Sequence, residues 1–464
     1  MKKKNITLLK NIGLFTIGSF GSKILSFLLV PLYTAILTTE NYGAVDLITS
    51  TASLLTPILL LSIFDATLRF GMDPNFKKED VISTSIHIAI RSSVILIIVV
   101  LFIAFTNIVN IPNTYLIFLC AYFILGSANQ IFTLYLKAKN QAMIIAVSGI
   151  LCTLITCLSN IMLLILLRWG IIGYMISNTI GLFFQNLYQL FAGKIYKDIR
   201  FRQYNDLSEP MIKYSLPLVA NSVSWWINNA SDRYILSFIK GVSENGIYAV
   251  SYKVPTILSM FQGIFFNAWS ISAIEEFDEN DSDGFIGSNY SLYSSISVVV
   301  CSILLIFNIP LATFLYKKNY FIAWKCVPFL LVATVFSGIS QFEGSLFAAA
   351  KKTKTVAQTT VIGAIINIIC NFIFIYYIGS IGAAFATLIG YLTTWIFRTY
   401  ALKKIVRIRV NWKLHICSII ILIVQSFFAT IGKNMKIQLL LFIMLIVINR
   451  KFIIPFKNIL NYHI

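Results

Sequence analysis

The sequence predicts an all-α protein threaded repeatedly through a membrane, with about fourteen transmembrane helices. Three observations carry that expectation. Hydrophobic residues make up 58% of the chain and charged residues 12%, whereas soluble domains run nearer half apolar and a quarter charged. The apolar residues gather in continuous runs close to the roughly 20 residues that span a bilayer. Because the runs are continuous rather than alternating, they favour helices over a barrel. Finally, short landmarks recur in the same order in two parts of the chain, which predicts two pseudo-symmetric lobes.

Fourteen apolar segments can be drawn: 11–36, 44–66, 83–106, 114–136, 142–167, 171–192, 212–231, 246–271, 286–309, 326–349, 356–378, 381–401, 414–431 and 436–456. The first follows MKKKNITLLK, a charged start like that of a signal peptide. Its apolar run is too long for a signal peptide, so an uncleaved first span is expected. Orientation follows from Lys and Arg in the loops. With the N-terminus inside, twenty-five basic residues fall on the inner side and eight on the outer, so both termini are expected in the cytoplasm.

The formal charge of +19 suggests nucleic acid at first sight. That partner requires basic residues clustered on one face or tail. Here they sit in short runs between apolar segments, so no nucleic-acid partner is expected. The seven cysteines lie in or beside apolar segments without a CxxC pair. They read as small buried apolar side chains. The three histidines have no metal-ligand spacing, and neither a metal nor another cofactor is expected. The acidic loop EEFDENDSDG, Glu275 to Gly284, resembles a calcium loop at Glu279, Asp281, Asp283 and Gly284. Tyr290 stands where the bidentate Glu belongs, so a solvated acidic turn is the better reading.

Several landmarks repeat. TTENYGAVDLITST (Thr38 to Thr51) follows the order of VSENGIYAVSYKVPT (Val242 to Thr256). GIIGYMISNTIG (Gly170 to Gly181) and GSIGAAFATLIG (Gly379 to Gly390) have three glycines at the same spacing. Asn160 and Asn371 precede them as counterparts, and Pro31 and Pro217 sit in similar apolar contexts. The predicted division is an N-terminal lobe at 1–200, a C-terminal lobe at 201–410 and two additional spans at 411–464. Each lobe has six spans, so the lobes share one orientation, as parallel transporter repeats do.

Polar groups inside spans are functional candidates by default. Lys23 lies near the middle of the first segment, with Ser19, Ser22 and Ser26 on its face. It lines a cavity, pairs with Asp46 or snorkels to the headgroups. Lys253 is expected about two turns inside the eighth segment, where snorkelling is the alternative. The seventh segment is unusually polar, with Asn221, Trp225 and Asn228 among its residues. A wet lumen explains so many polar groups better than interhelical bonding, and indole and amide groups suit sugar rings. Asp232 and Arg233 read as a local ion pair, as do Asp65 and Arg69 one helical turn apart. Arg91 and Glu343, in the inner thirds of the third and tenth segments, either line an inward-facing opening, pair with a neighbour or reach the interface. Asp46 and Glu343 are the candidates for taking up a coupling ion.

The chain resembles the Wzx-type flippases of bacterial polysaccharide synthesis, within the multidrug, oligosaccharidyl-lipid and polysaccharide exporter superfamily. The resemblance rests on SKILSFLLVPLYTAIL (Ser22 to Leu37), TTENYGAVDLITS, FDATLRF (Phe64 to Phe70), SDRYIL followed by ENGIYAVSYKVP, and SIGAAFATLIGY (Ser380 to Tyr391). It implies fourteen helices in two six-helix lobes plus two. The implied activity moves an undecaprenyl-pyrophosphate-linked oligosaccharide from the inner to the outer leaflet of a bacterial plasma membrane. The implied partners are the lipid bilayer, a polysaccharide polymerase and glycosyltransferases. Lys23 and Lys253 occupy spans where related flippases carry basic cavity residues. Peptidoglycan-precursor flippases carry an Arg pair in the second span, where this chain reads PILLLSIF (Pro57 to Phe64). Export of a drug or a teichuronic-type polymer fits the same superfamily. An enzyme such as a polymerase needs catalytic carboxylates on a substantial loop, and the outer loops here are too short. A structural subunit of a synthesis complex does not explain the polar seventh segment.

Overall fold

The computed structural model describes residues 21, 23–108, 111–200, 205–432 and 435–461. The charged start, the first half of the first segment, Ser19 and Ser22 lie outside the described residues. The helices run α1 (Lys23–Ile36), α2 (Thr39–Leu59), α3 (Ile63–Gly71), α4 (Lys78–Thr106), α5 (Asn113–Ala138), α6 (Ala142–Leu166) and α7 (Gly170–Ala192). They continue as α8 (Asn205–Lys240), α9 (Val242–Ser251), α10 (Pro255–Glu275), α11 (Phe285–Ile306), α12 (Asn308–Leu315), α13 (Val327–Ala349), α14 (Thr353–Leu402), α15 (Trp412–Ile431) and α16 (Met435–Asn461). Among the described residues no strand occurs.

Seven of these helices are long and apolar enough to cross a bilayer, eight if α2 and α3 form one span. The count is below fourteen for physical reasons. The long α14 holds the eleventh and twelfth predicted segments, joined at the non-helical residues Ile378 and Gly379. The described part of α1 is short, the eighth segment is broken, and α8 is polar. The chain is thus an all-α, multi-pass membrane protein. Its contacts divide it into two units, one ending at Ala230 and the other beginning at Ser231.

Local sequence explains the helix ends. Thr38 caps α2 by accepting from the Asn41 amide at 3.2 Å, and Glu40 sits in the first turn, where the helix dipole favours an acid. Asn411 caps α15 by accepting from Leu414 N at 3.3 Å, and Gly432 ends that helix at φ 73°.

Two predicted spans are each broken. The second splits into α2 and α3, which meet at 57°. Leu61 and Ser62 take left-handed φ values of 53° and 51° at the break, just after Pro57. Left-handed L-residues cost about 1–2 kcal/mol each, and here fully buried Leu60 and Ile63 hold the ends on either side. The eighth span splits at Tyr252–Val254. Pro255 starts α10, and its ring lacks an N–H and crowds the carbonyl four residues earlier. Lys253 therefore stands in a turn between two helices, not two turns inside one. The predicted loop between the ninth and tenth spans contains α12 and a 3₁₀ turn, Lys318–Lys325.

The repeated glycines have repeated structural duties. Gly170 and Gly379 take φ values of 55° and 59°. A Cβ on Gly173 would lie 3.2 Å from Leu163 O, and one on Gly382 2.2 Å from Phe374 O. At Gly181 it would meet Thr156 Oγ1 at 1.9 Å, and at Gly390 Asn367 Cβ at 2.7 Å. Both hairpins therefore need backbone against backbone. Asn160 and Asn371 are both fully buried, and both carbonyl oxygens lack a partner among the described residues.

The acidic loop is only partly solvated. Asp278 accepts from the amides of Ser282 at 2.7 Å and Asn280 at 3.0 Å, and these bonds hold its carboxyl below the usual range. Asp281 is fully buried. It accepts from Ile286 N and Gly287 N, both at 2.9 Å, and from Arg409 N at 3.0 Å. The Glu279 carbonyl accepts from Arg407 N at 2.8 Å. The loop is thereby stitched to the segment that precedes α15. Cys301 and Cys326 are buried as expected, whereas Cys417 is exposed.

Candidate functional site

In the N-terminal unit, α2, α3, α5 and α8 line an open cavity of about 440 Å³. Its lining is Ser53 and Pro57 from α2, Phe64 and Asp65 from α3, Asn129, Gln130, Thr133 and Leu134 from α5, and Ser222 from α8. The break at Leu61 and Ser62 places Asp65 in the first turn of α3, at the positive end of the helix dipole. Backbone in sparsely populated φ/ψ space clusters at functional sites. The α8 wall is fixed by Trp226, whose indole N–H donates to Ser50 O at 2.8 Å.

A second layer of amides on α7 sets the α5 wall. Asn186 Nδ2 donates to Leu125 O at 2.8 Å. Asn129 Nδ2 donates to Asn186 Oδ1 at 3.2 Å, which keeps the Asn129 carbonyl as an acceptor. Fully buried Gln189 donates through Nε2 to Thr133 Oγ1 at 3.1 Å and to Ser148 Oγ at 3.0 Å. Thr133 thus accepts from behind and has its own proton to give. Asp65 and Arg69 form no ion pair, contrary to expectation; Arg69 is exposed and Asp65 lines the cavity.

The residues singled out from the sequence lie as follows. Lys23 is exposed on α1, and Asp46 is half-buried on α2. Arg91 is exposed on α4, on the face of the exposed apolar residues Val94, Ile95 and Ile98. That is the surrounding a side chain reaching for headgroups would have. Asn221 and Trp225 are exposed on one face of α8, and half-buried Asn228 continues it with Nδ2 bonded to Ser224 O at 3.2 Å. Lys253 is half-buried in its turn. None of these residues lines the cavity, but Ser222 beside Asn221 does.

In the C-terminal unit two carboxylates are buried. Asp232 is held by the hydroxyl of Tyr248, by Tyr252 Oη and Thr387 Oγ1 at 3.3 Å each, and by Arg233 N at 2.9 Å. Beside Arg233, a cage of hydroxyls thus surrounds Asp232, and the Arg233 guanidinium lies 5.6 Å from the Tyr252 ring centre. Glu343 is 0% exposed and accepts from Thr399 Oγ1 at 2.6 Å and Tyr290 Oη at 3.3 Å. Its other oxygen, Oε2, is buried without a partner among the described residues. Arg398 is buried too. It donates to Thr359 Oγ1 at 3.1 Å, Ser340 O at 2.9 Å, Val356 O at 3.0 Å and Thr360 Oγ1 at 2.6 Å.

Asn129, Gln130, Asp65 as a cavity residue, and Arg398 were missed in the sequence. The Asn-Gln pair inside an otherwise apolar fourth segment was the available signal.

Comparison with known proteins bears on what such a unit does. A family model described as polysaccharide biosynthesis protein matches residues 8–270. An uncharacterized membrane protein of Methanocaldococcus jannaschii is 23% identical over 246 residues, 50% of this chain and 57% of that protein. The chain thus matches a little over half the length of this relative. Among solved structures, the lipid II flippase MurJ in an inward closed conformation matches with a TM-score of 0.70 and 17% identity, over 96% of this chain and 99% of that one. An inward-facing multidrug resistance MATE family transporter of the MOP superfamily matches at 0.65 and 11%, over 82% and 95%. A MOP superfamily transporter from Pyrococcus furiosus matches at 0.59 and 12%, over 86% and 96%. At these identities the solved structures show a shared fold. The family match extends over more than half of the sequence, and the chain belongs to the polysaccharide biosynthesis protein family.

Proposed function

We propose that the chain is a flippase that carries an undecaprenyl-pyrophosphate-linked oligosaccharide from the cytoplasmic to the outer leaflet of a bacterial plasma membrane. Its pathway would build a capsule, exopolysaccharide or O-antigen type polymer. The observation that carries this reading is an open cavity of about 440 Å³, lined by both polar and apolar side chains, in an apolar-surfaced helical unit of a polysaccharide biosynthesis protein. A pyrophosphate cannot cross hydrocarbon unaided, because burying its charge is prohibitive. Lys23, Lys253 and Arg91 are the cations proposed to replace its hydration. Asn221, Trp225 and Asn228 offer amide and indole surface to the sugars.

Movement would be by alternating access of lobes at 1–200 and 201–410, with the spans at 411–464 alongside and both termini cytoplasmic. Asp46 and Glu343 are the proposed ion-coupling groups; the unpartnered Glu343 Oε2 supports a role in taking up a proton or cation. Glycosyltransferases would supply the cargo and a polymerase would consume it. The rival reading, a membrane-embedded polymerase, gains no support from the matched proteins.

The test is reconstitution with a fluorescent undecaprenyl-pyrophosphate oligosaccharide. A flippase exposes the label on the opposite leaflet at unchanged mass. Lys253→Ala and Lys23→Ala should each slow that exchange at least tenfold at equal protein level. Unchanged exchange in both would remove them from the proposed site, and a change in cargo mass would make the protein an enzyme.

A further inference from the structure

Resting on the flippase reading, we infer that the cavity around Asp65 is a subsite for one sugar of the cargo, selective for neutral or amino sugars over uronic acids. Three features of the lining carry this. The first is size. A volume of about 440 Å³ suits an organic ring, within the roughly 300–1,000 Å³ of small-molecule sites. A hard cation instead needs oxygens converging at about 2.3–2.6 Å, and these groups are spread over four helices.

The second feature is the pattern of polar and apolar groups. Sugars present hydroxyls at their edges and C–H groups on their faces. Phe64, Pro57 and Leu134 form the apolar part of the lining. Asp65, Asn129, Gln130, Thr133, Ser53 and Ser222 form the polar part. The backing bonds from Asn186 and Gln189 fix two of these groups in advance, one as acceptor and one as donor. That preorganisation lowers the entropy cost of binding.

The third feature is charge. Among the described residues of the lining, Asp65 is the single ionisable one, and no Lys, Arg or His among them offsets it. An ionised carboxylate accepts hydrogen bonds only. It matches the hydroxyls, amide N–H or ammonium of a neutral or amino sugar. It repels the carboxylate of a uronic acid, since like charges brought together oppose binding. A protein with formal charge +19 thus places a lone negative group where an anionic sugar would have to sit.

The test uses the full chain in nanodiscs and three probes: undecaprenyl pyrophosphate alone, the same lipid carrying N-acetylglucosaminyl-glucose, and its N-acetylglucosaminyl-glucuronate counterpart. Tryptophan fluorescence reports binding. The neutral disaccharide lipid should bind about tenfold tighter than the glucuronate. Asp65→Asn should close that gap to about twofold by improving the glucuronate. Equal affinity of the two disaccharides for the unaltered protein overturns the inference without any variant. So does an unchanged gap in a folded Asp65→Asn protein. If the bare lipid binds and neither disaccharide adds affinity, the subsite fails and the flippase reading stands. If none of the three binds, the flippase reading falls and the subsite with it.

Discussion

The sequences of α5 and α13 share a pattern and then differ. Gly126 stands thirteen residues before Lys139, and Gly338 thirteen before Lys351. Three residues after each glycine comes an amide, Asn129 or Gln341. The next position is Gln130 in one helix and Phe342 in the other. Gln130 lines an open cavity. Phe342 is buried, and its ring stacks on Trp269 at 4.0 Å between centroids and 10° between planes. Tyr293 and Phe265 extend that stack. The C-terminal unit has filled with aromatic rings the position that the N-terminal unit keeps open and polar. Along this shared pattern, side-chain volume at one position separates an open lining from a filled stack.

The comparison can be broken first in the aromatic stack. Phe342→Ala should cost about 3–5 kcal/mol, the range for a buried Phe lost from a packed core, read as a fall in melting temperature. The matching Gln130→Ala should stay within about 0.5 kcal/mol while weakening the disaccharide lipid. Equal losses at both positions would mean that the cavity wall is packed like the stack.

The glycine hairpins sharpen the comparison at a smaller scale. A Cβ on Gly382 would lie 2.2 Å from a backbone oxygen, whereas Gly173 leaves 3.1 Å to the Leu163 side chain. Gly382→Ala should therefore destabilise by about 1–3 kcal/mol through overpacking. Gly173→Ala should cost less than half of that, because the gain in helix propensity of about 1 kcal/mol offsets a milder contact. Comparable melting temperatures for the two variants would contradict the unequal packing. A small effect is also expected at the amide pair. Asn160 donates to Tyr33 Oη at 3.1 Å and Asn371 to Asn367 Oδ1 at 3.0 Å. Asn371→Leu should lower the melting temperature by the equivalent of about 1 kcal/mol, since it removes one orphaned oxygen but leaves Asn367 Oδ1 without its donor.

Much of this was legible in the chain. The repeated GIIG and GSIG motifs were legible as landmarks of two similar stretches, because their glycines keep one spacing; the close backbone approach behind that spacing became visible only in the structure. The breaks in the second and eighth spans were harder to read. Pro57 and Pro255 were visible, but hydropathy averages over a kink, so each span looked continuous. Asp65 was noticed with the wrong partner. Arg69 lies one turn on along the same helix, so spacing allowed the pair; that Asp65 lines a cavity with α5 while Arg69 stays exposed depends on packing between helices, which spacing does not encode. Asn129 and Gln130 gave only a local dip in hydropathy. Their meaning depends on Asn186 and Gln189, more than fifty residues away in the chain, and no local pattern encodes that support.

The stitched acidic loop has a practical consequence for mapping membrane topology. By charge and position, residues 276–284 look like the natural place to insert a reporter tag. An inserted tag would pull Asp281 away from Gly287 and Arg409 and would report on a damaged protein. Glu279 is a safer handle, because Arg407 bonds to its carbonyl and leaves its exposed side chain uncommitted. With exposed Cys417 replaced, a single cysteine at that position would let a water-soluble label read the sidedness of the loop while every stitch stays in place.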